Sequence, residues 1–227
     1  MRYNYDNRVV IKPWGEEYNI YRNKKKCAIT YLKIKKNFST SLHCHPKKKT
    51  GFLILSGKAE VQIGIYRKNK FLCPPMSILV LREGLFHKIK ASKKQDLYAL
   101  EVETPYIKKN LIRLQDNYGR KNKVYENLNS TKKLSEHNLL FKNPKNKKFN
   151  LYNLNDVNIS ISYYKNFEKF KNFDDKSVSI ILDGKIVTKN GDTVIGVGEI
   201  VKSMTLKKLS NNYFIKRKML VLRAYQN

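Results

Sequence analysis

Apolar residues in the first 105 positions come in short runs, and several of these alternate with polar ones. "RVVIKPW", "EEYNIY", "AITYLKI", "TGFLILS", "KAEVQIGIY", "SILVLRE", "LFHKIKA" and "LYALEVET" are rich in β-branched and aromatic residues. Successive side chains of a strand point to opposite faces, so this alternation predicts half-buried strands. Turn signals separate the runs at Ser56-Gly57, Cys73-Pro74-Pro75 and Glu83-Gly84. Strands this short and this closely spaced predict an antiparallel sandwich or barrel.

The texture changes after residue 105. "YIKKNLIRLQDNYGR" predicts a short helix over 108–116, ended by Gly119. The Lys- and Asn-rich stretch that follows is expected to be a linker with one short helix near 131–140. From 150 onward strand patterns return in "NLYNL", "NISISYY", "SVSIILDGKIV", "TVIGVGEIV", "MTLKKLS" and "NYFIKRKMLVLRAY". The piece "SVSIILDGKIV" echoes "TGFLILSGKAEV", which suggests a second copy of the first fold. The expected division is a β domain at 1–120, a polar linker at 121–149 and a second β domain at 150–227, the last without histidine.

The 227 residues, 41% hydrophobic and 11% aromatic, suffice for a buried core and are not a disordered composition. No apolar run approaches the roughly 18 residues of a membrane span. The start, "MRYNYDNRVVIKPWG", has no apolar stretch of the secretion-signal kind. Three cysteines, Cys27, Cys44 and Cys73, form no CxxC pair. The expectation is a reducing, cytoplasmic setting without a disulfide framework.

The formal net charge is +29. Lys far outnumbers Arg and is scattered through every segment, alongside much Asn, Ile and Tyr, as drift in an AT-rich genome produces. That accounts for the charge better than nucleic-acid binding, which rests on charge alone. So positive a surface still attracts anions, phosphorylated sugars among them.

The chemistry gathers in "TSLHCHPKKKTGFLILSGKAEV". Residues two apart in a strand share a face, so His43 and His45 project together. His87, in "REGLFHKI", begins another predicted strand. Three imidazoles from two neighbouring strands form a facial set with open positions, the arrangement of a catalytic divalent metal. The bland alternative for each is a polar residue on an exposed strand. Cys44 would face away from the histidines. His137 falls in the polar linker and is expected to be exposed. Lys47, Lys48 and Lys49 are expected to form a solvated loop. Glu101 and Glu103 share a strand face; turned inward, one would serve as general base or as a partner of a ligand. Arg113 and Arg120 would clamp a phosphate, or pair with Asp116. Trp14, between Pro13 and Gly15, is expected to plug one barrel end.

These motifs resemble the cupin superfamily. Its first motif, G-x5-H-x-H-x3,4-E-x6-G, is met by His43, His45 and Gly57, with Thr50 at the glutamate. Of its second motif, G-x5-P-x-G-x2-H-x3-N, Gly84 and His87 remain. "VVIKPWGEEYNI", "LEVETP" and "LIRLQDNYGR" are similar to the cupin domain of type II phosphomannose isomerases, over residues 8–121. In those isomerases the ligand pattern differs, placing His at Lys47 and Glu at Thr50.

The resemblance implies an all-β fold: an antiparallel jelly-roll cupin barrel followed by a second, degenerate cupin-like domain. It implies a metal-binding protein acting on a sugar phosphate or nucleotide sugar, with isomerase- or epimerase-like chemistry in sugar-nucleotide or surface-polysaccharide metabolism. The metal would be Zn, Mn, Fe, Ni or Co on His43, His45 and His87. Glu101 would move the proton and Arg113 and Arg120 would bind the substrate. Alternatives are a sugar-binding or assembly cupin without turnover, and a three-histidine iron dioxygenase. Cupins often pair through sheet edges, so a homodimer, or an internal pairing of two barrels, is expected.

Overall fold

The structure is a computed structural model, and it describes residues 7–107, 110–119, 130–145 and 148–226. The first half contributes β1 (Arg8–Lys12), β2 (Gly15–Asn23), β3 (Cys27–Ile34), β4 (Leu42–Cys44), β5 (Lys49–Ser56) and β6 (Ala59–Ile63). It continues with β7 (Lys70–Cys73), β8 (Ile78–Leu81), β9 (His87–Ala91), β10 (Leu97–Thr104), β11 (Ile112–Gln115) and β12 (Thr131–Lys133). They form two antiparallel sheets, ordered β12-β1-β2-β3-β10-β5-β8 and β11-β4-β9-β6-β7. Leu32, Ile34, Phe52, Ile54, Val61, Ile89 and Ala99 fill the space between, and Trp14 packs with them, 4% exposed.

The second half contributes β13 (Phe149–Leu154), β14 (Val157–Tyr164), α1 (Glu168–Lys171), β15 (Val178–Asp183), β16 (Ile186–Val187) and β17 (Thr193–Ile195). After these come β18 (Ile200–Lys202), α2 (Ser203–Leu209), β19 (Phe214–Ile215) and β20 (Met219–Tyr225). Here the sheets are ordered β13-β14-β20-β15-β18 and β17-β16-β19. The first of these repeats the order β2-β3-β10-β5-β8 strand for strand.

The echo between "TGFLILSGKAEV" and "SVSIILDGKIV" is therefore structural. Gly57 and Gly184 both turn with positive φ, +84° and +81°. A Cβ on either would lie 2.4 Å from a backbone oxygen, that of Asp96 or of Lys218, at the entry to β10 or β20. Only glycine fits a turn that is both left-handed and this crowded.

The two halves pack sheet against sheet. Ile29, Leu53, Leu55, Leu100 and Val102 from the outer face of the first barrel meet Ile159, Ile161, Val178, Ile180 and Leu222. Asn23 Nδ2 donates to Leu182 O at 2.7 Å, Tyr31 Oη donates to Asn155 Oδ1 at 2.8 Å, and Lys49 pairs with Glu199. The central strands β3, β10 and β5 of the seven-stranded sheet are thus covered on both faces. That explains why they read as nearly continuous apolar runs rather than strict alternation.

Several local expectations are corrected. The helix predicted over 108–116 is instead strand β11 across 112–115, recruited to the open side of β4; 108–109 lie outside the described residues. No helix forms at 131–140: β12 pairs with β1 and Phe141 is buried in the shared core. "MTLKKLS", predicted as a strand, lies in helix α2, where Ser203 and Leu206 are buried three residues apart. That spacing fits one helix face and not one strand face.

Candidate metal centre

β4 is short because its work is local: it hydrogen-bonds to β9 so that His43 stands directly opposite His87. The three histidines are nearly sealed, with His43 8% exposed, His45 5% and His87 1%. Their ring centroids lie 4.5 Å (His43–His87), 5.1 Å (His43–His45) and 5.6 Å (His45–His87) apart. One ring nitrogen from each lies within 4.8 Å of the others, a group able to hold a metal ion.

Backbone carbonyls fix the rings. His43 Nδ1 bonds Ser41 O at 2.8 Å, His45 Nδ1 bonds Asn110 O at 2.7 Å and His87 Nδ1 bonds Leu85 O at 3.0 Å. A carbonyl oxygen only accepts, so each Nδ1 carries a proton and, in a neutral ring, Nε2 keeps its lone pair. The Nε2 atoms of His45 and His87 are buried and have no hydrogen-bond partner. Burying such acceptors costs about 1–3 kcal/mol each unless something satisfies them. A cation does so, and carbonyls holding the far nitrogen are the usual support of metal-bound imidazole. The residues present therefore fit a metal.

Glu101 and Glu103 turn inward from β10. Glu101 Oε1 stands 3.8 Å from His45 Nε2. His45, Glu101 and Glu103 also bring their ligand atoms within 4.8 Å of one another. Lys48 was expected in a solvated loop; it is 5% exposed, and its Nζ donates to Glu103 Oε1. Nothing in a run of three lysines marks the middle one, because its partner lies on a strand 55 residues away. Thr50 pairs with Glu103 across β5 and β10, and its hydroxyl is buried without a partner.

Burial, with His87 and His45 beside it, holds the His43 imidazole well below its ordinary range. Burial lowers His87 as well. On His45 burial acts in the same sense, but the Glu101 carboxylate outweighs it and raises the imidazole. Burial would raise Glu101, yet His45, His87 and Lys48 together bring it below the usual carboxylate range. Glu103 goes the other way, raised by burial and by Glu101.

Arg113, on β11, stands opposite His43 in register, and its charge further lowers that imidazole. Arg120 lies outside the described residues. Cys44 is buried, all three cysteines are free, and His137 is exposed. Among the described residues no helix is long and apolar enough to cross a membrane.

Two facing antiparallel sheets with three imidazoles turned into the space between them make a jelly-roll barrel of the double-stranded β-helix kind. No protein-family model matches the chain, and no curated protein matches it by sequence. Solved structures resemble it at low identity. KdgF from Halomonas sp. is 14% identical over 43% of this chain and 85% of its own, with TM-score 0.39. The capsular polysaccharide assembling protein CapF from Staphylococcus aureus is 13% identical over 48% of this chain, with TM-score 0.43; the match spans 31% of CapF. A protein with a double-stranded β-helix domain from Klebsiella pneumoniae is 16% identical over 50% of this chain and 91% of its own, with TM-score 0.40. These likenesses concern the fold.

Proposed function

We propose that the chain is a metal-dependent cupin acting on a sugar phosphate or nucleotide sugar, by isomerase- or epimerase-type chemistry of the phosphomannose isomerase kind. The observation that carries the metal is the set of buried imidazoles whose Nδ1 atoms are tied to carbonyls while the Nε2 atoms of His45 and His87 lack partners. A divalent ion (Zn, Mn, Fe, Ni or Co) held by His43, His45 and His87 would polarise a substrate carbonyl. The sugar is taken from the sequence resemblance and from the cationic surface.

Each protein group then has a task. Glu101, ionised beside His45, removes the proton from the carbon next to the carbonyl and returns it to the neighbouring carbon. The hydroxyl and carbonyl exchange places along the chain, with no change in overall oxidation state. Arg113, at the edge of the histidine strand, takes the phosphate, and Arg120 would assist it. The burial of the histidines keeps bulk water away from the reacting carbons. A cytoplasmic setting and a homodimer through outer sheet edges belong to the same proposal.

Metal analysis of untagged protein tests it first. Near one equivalent per chain is expected, lost in the His43→Ala/His87→Ala variant, followed by turnover of a sugar phosphate. A metal-free wild type after loading and mild dialysis would sink it. A sugar-binding or assembly role without turnover is favoured by one observation, Thr50 standing where the motif has its carboxylate. With iron on three histidines, oxygen uptake is the assay for the dioxygenase alternative.

A further inference from the structure

The sheet β13-β14-β20-β15-β18 carries an arginine on the face turned away from the first half. Leu222 and Ala224 of β20 pack into the joint between the halves, and Arg223 between them points the other way. In register Arg223 stands between Ser160 on β14 and Ser179 on β15. Residues directly opposite each other in an antiparallel pair have Cβ atoms about 4.5–5.5 Å apart, so two hydroxyls flank the arginine. The rings of Phe173 and Tyr225 cover its guanidinium at 4.1 and 4.3 Å. Stacking of this kind occupies the faces of the ion and leaves its edge, where the N–H donors lie.

Those donors are idle. Arg223 Nε is buried without a hydrogen-bond partner, and so is Oγ of Ser179, a residue 0% exposed. Burying such a group unpaired costs about 1–3 kcal/mol, more when it is charged. No carboxylate pairs with Arg223 among the described residues; Asp175, Asp183 and Glu199 of the same half are each taken by a lysine. Arg223 as a whole is only half-buried and its sealed nitrogen is Nε, so solvent meets the guanidinium from the Nη side.

We propose that Arg223, with Ser160 and Ser179 on either side, is a binding site for a phosphate group, carried by a small phosphorylated molecule or free in solution. Donors on three neighbouring strands suit the tetrahedral oxygens of phosphate better than a flat carboxylate. The guanidinium fork takes two oxygens, leaving the others for Ser160 at the open side and Ser179 at the closed one. The net charge of +29 raises the local concentration of anions. The site lies in the half without histidines and is independent of the metal.

The full-length protein is titrated by calorimetry with inorganic phosphate, with a hexose phosphate and with acetate, at about 0.15 M potassium chloride to screen the surface lysines. Arg223→Gln is expected to weaken both phosphates by about 10-fold or more. Lys189→Gln removes the same charge from an exposed position of the same half and is expected to change neither. Arg223→Lys keeps the charge without the fork and should fall between wild type and Arg223→Gln. Ser160→Ala should weaken both phosphates by about threefold or more; it carries the test should circular dichroism show the Arg223 variants unfolded. The visible spectrum of cobalt(II) bound to the first half should be the same in wild type and Arg223→Gln, which separates this site from the histidine one. Tighter binding of the hexose phosphate would support the site with a phosphorylated molecule as occupant, and equal binding would support it with the free ion. Equal losses in Arg223→Gln and Lys189→Gln would reduce the binding to diffuse attraction by surface charge and overturn the site. Wild-type affinity in both Arg223→Gln and Ser160→Ala, acetate binding as tightly as phosphate, or no phosphate binding by wild type would overturn it too.

Discussion

The two halves share a strand order but not an interior. Between β3 and β5 the chain of the first half runs through β4 and brings in His43 and His45; between β14 and β15, at the same place, the second half has the short helix α1. Phe170 of that helix is wholly buried and packs with Tyr164, Phe167 and Phe173. The strand that carries Glu101 differs too. In register Glu101 stands across from Phe52 on β5, and its counterpart Arg223 stands across from Ser179 on β15. Arg223 lies between the rings of Phe173 and Tyr225, at 4.1 and 4.3 Å. One scaffold therefore holds either converging lone pairs that call for a cation, or an aromatic plug with a cation of its own. The connection between two strands decides which.

The largest contrast is expected for metal. His43→Ala/His87→Ala should abolish binding, whereas Arg223→Glu in the otherwise wild-type second half should create none, because no imidazoles stand there; metal stoichiometry checks both. Next in size, Phe170→Ala should destabilise by about 3–5 kcal/mol, read as a fall in urea midpoint. It should leave the cobalt spectrum of the folded protein untouched; a changed spectrum would show that the plug supports the site. The repeated turn comes third. Gly57→Ala and Gly184→Ala should each cost about 2 kcal/mol or more, from left-handed strain of ~1–2 kcal/mol plus the backbone clash. Unequal midpoint shifts would break the equivalence of the two turns.

The smallest effect concerns pH. His43 and His87 are held neutral in the fold, so below about 6.5, the ordinary histidine value, the unfolded chain binds more protons than the native one. Stability of the metal-free protein should then fall as pH drops from 7.5 toward 5. His45, raised by Glu101, acts in the opposite sense: its stabilisation is present below the ordinary value and is lost as pH rises through the raised one. His43→Gln should therefore make the acid-side slope shallower by at most about 1.4 kcal/mol per pH unit, measured by urea unfolding at several pH values. A steeper slope would contradict the assignment of His43 as neutral.

What could be read from sequence followed from local rules. Strand alternation, the Ser56-Gly57 turn and the echo at Asp183-Gly184 are short-range signals, and the structure has strands and turns there. The juxtaposition of His43, His45 and His87 was legible because a two-residue period and one antiparallel pairing suffice to bring them together. Lys48 and β11 were not legible. The first depends on Glu103 and the second on an open side of β4, both set by long-range pairing. The segment "MTLKKLS", 204–210, was misread because Leu206 and Leu209 suit a strand run as well as a helix turn when the neighbours are unknown.

The middle of the seven-stranded sheet has no outside. Along β10 the residues alternate between Glu101 and Glu103, which belong to the site, and Leu100 and Val102, which belong to the joint between the halves. A chain cut before β13 would lay Ile29, Leu53, Leu55, Leu100 and Val102 open to water as one apolar face, the kind of surface that drives aggregation. The half without histidines is thus a fixed lid on the back of the half that has them. Any attempt to trim the molecule to its chemistry would first have to repaint that wall with polar residues.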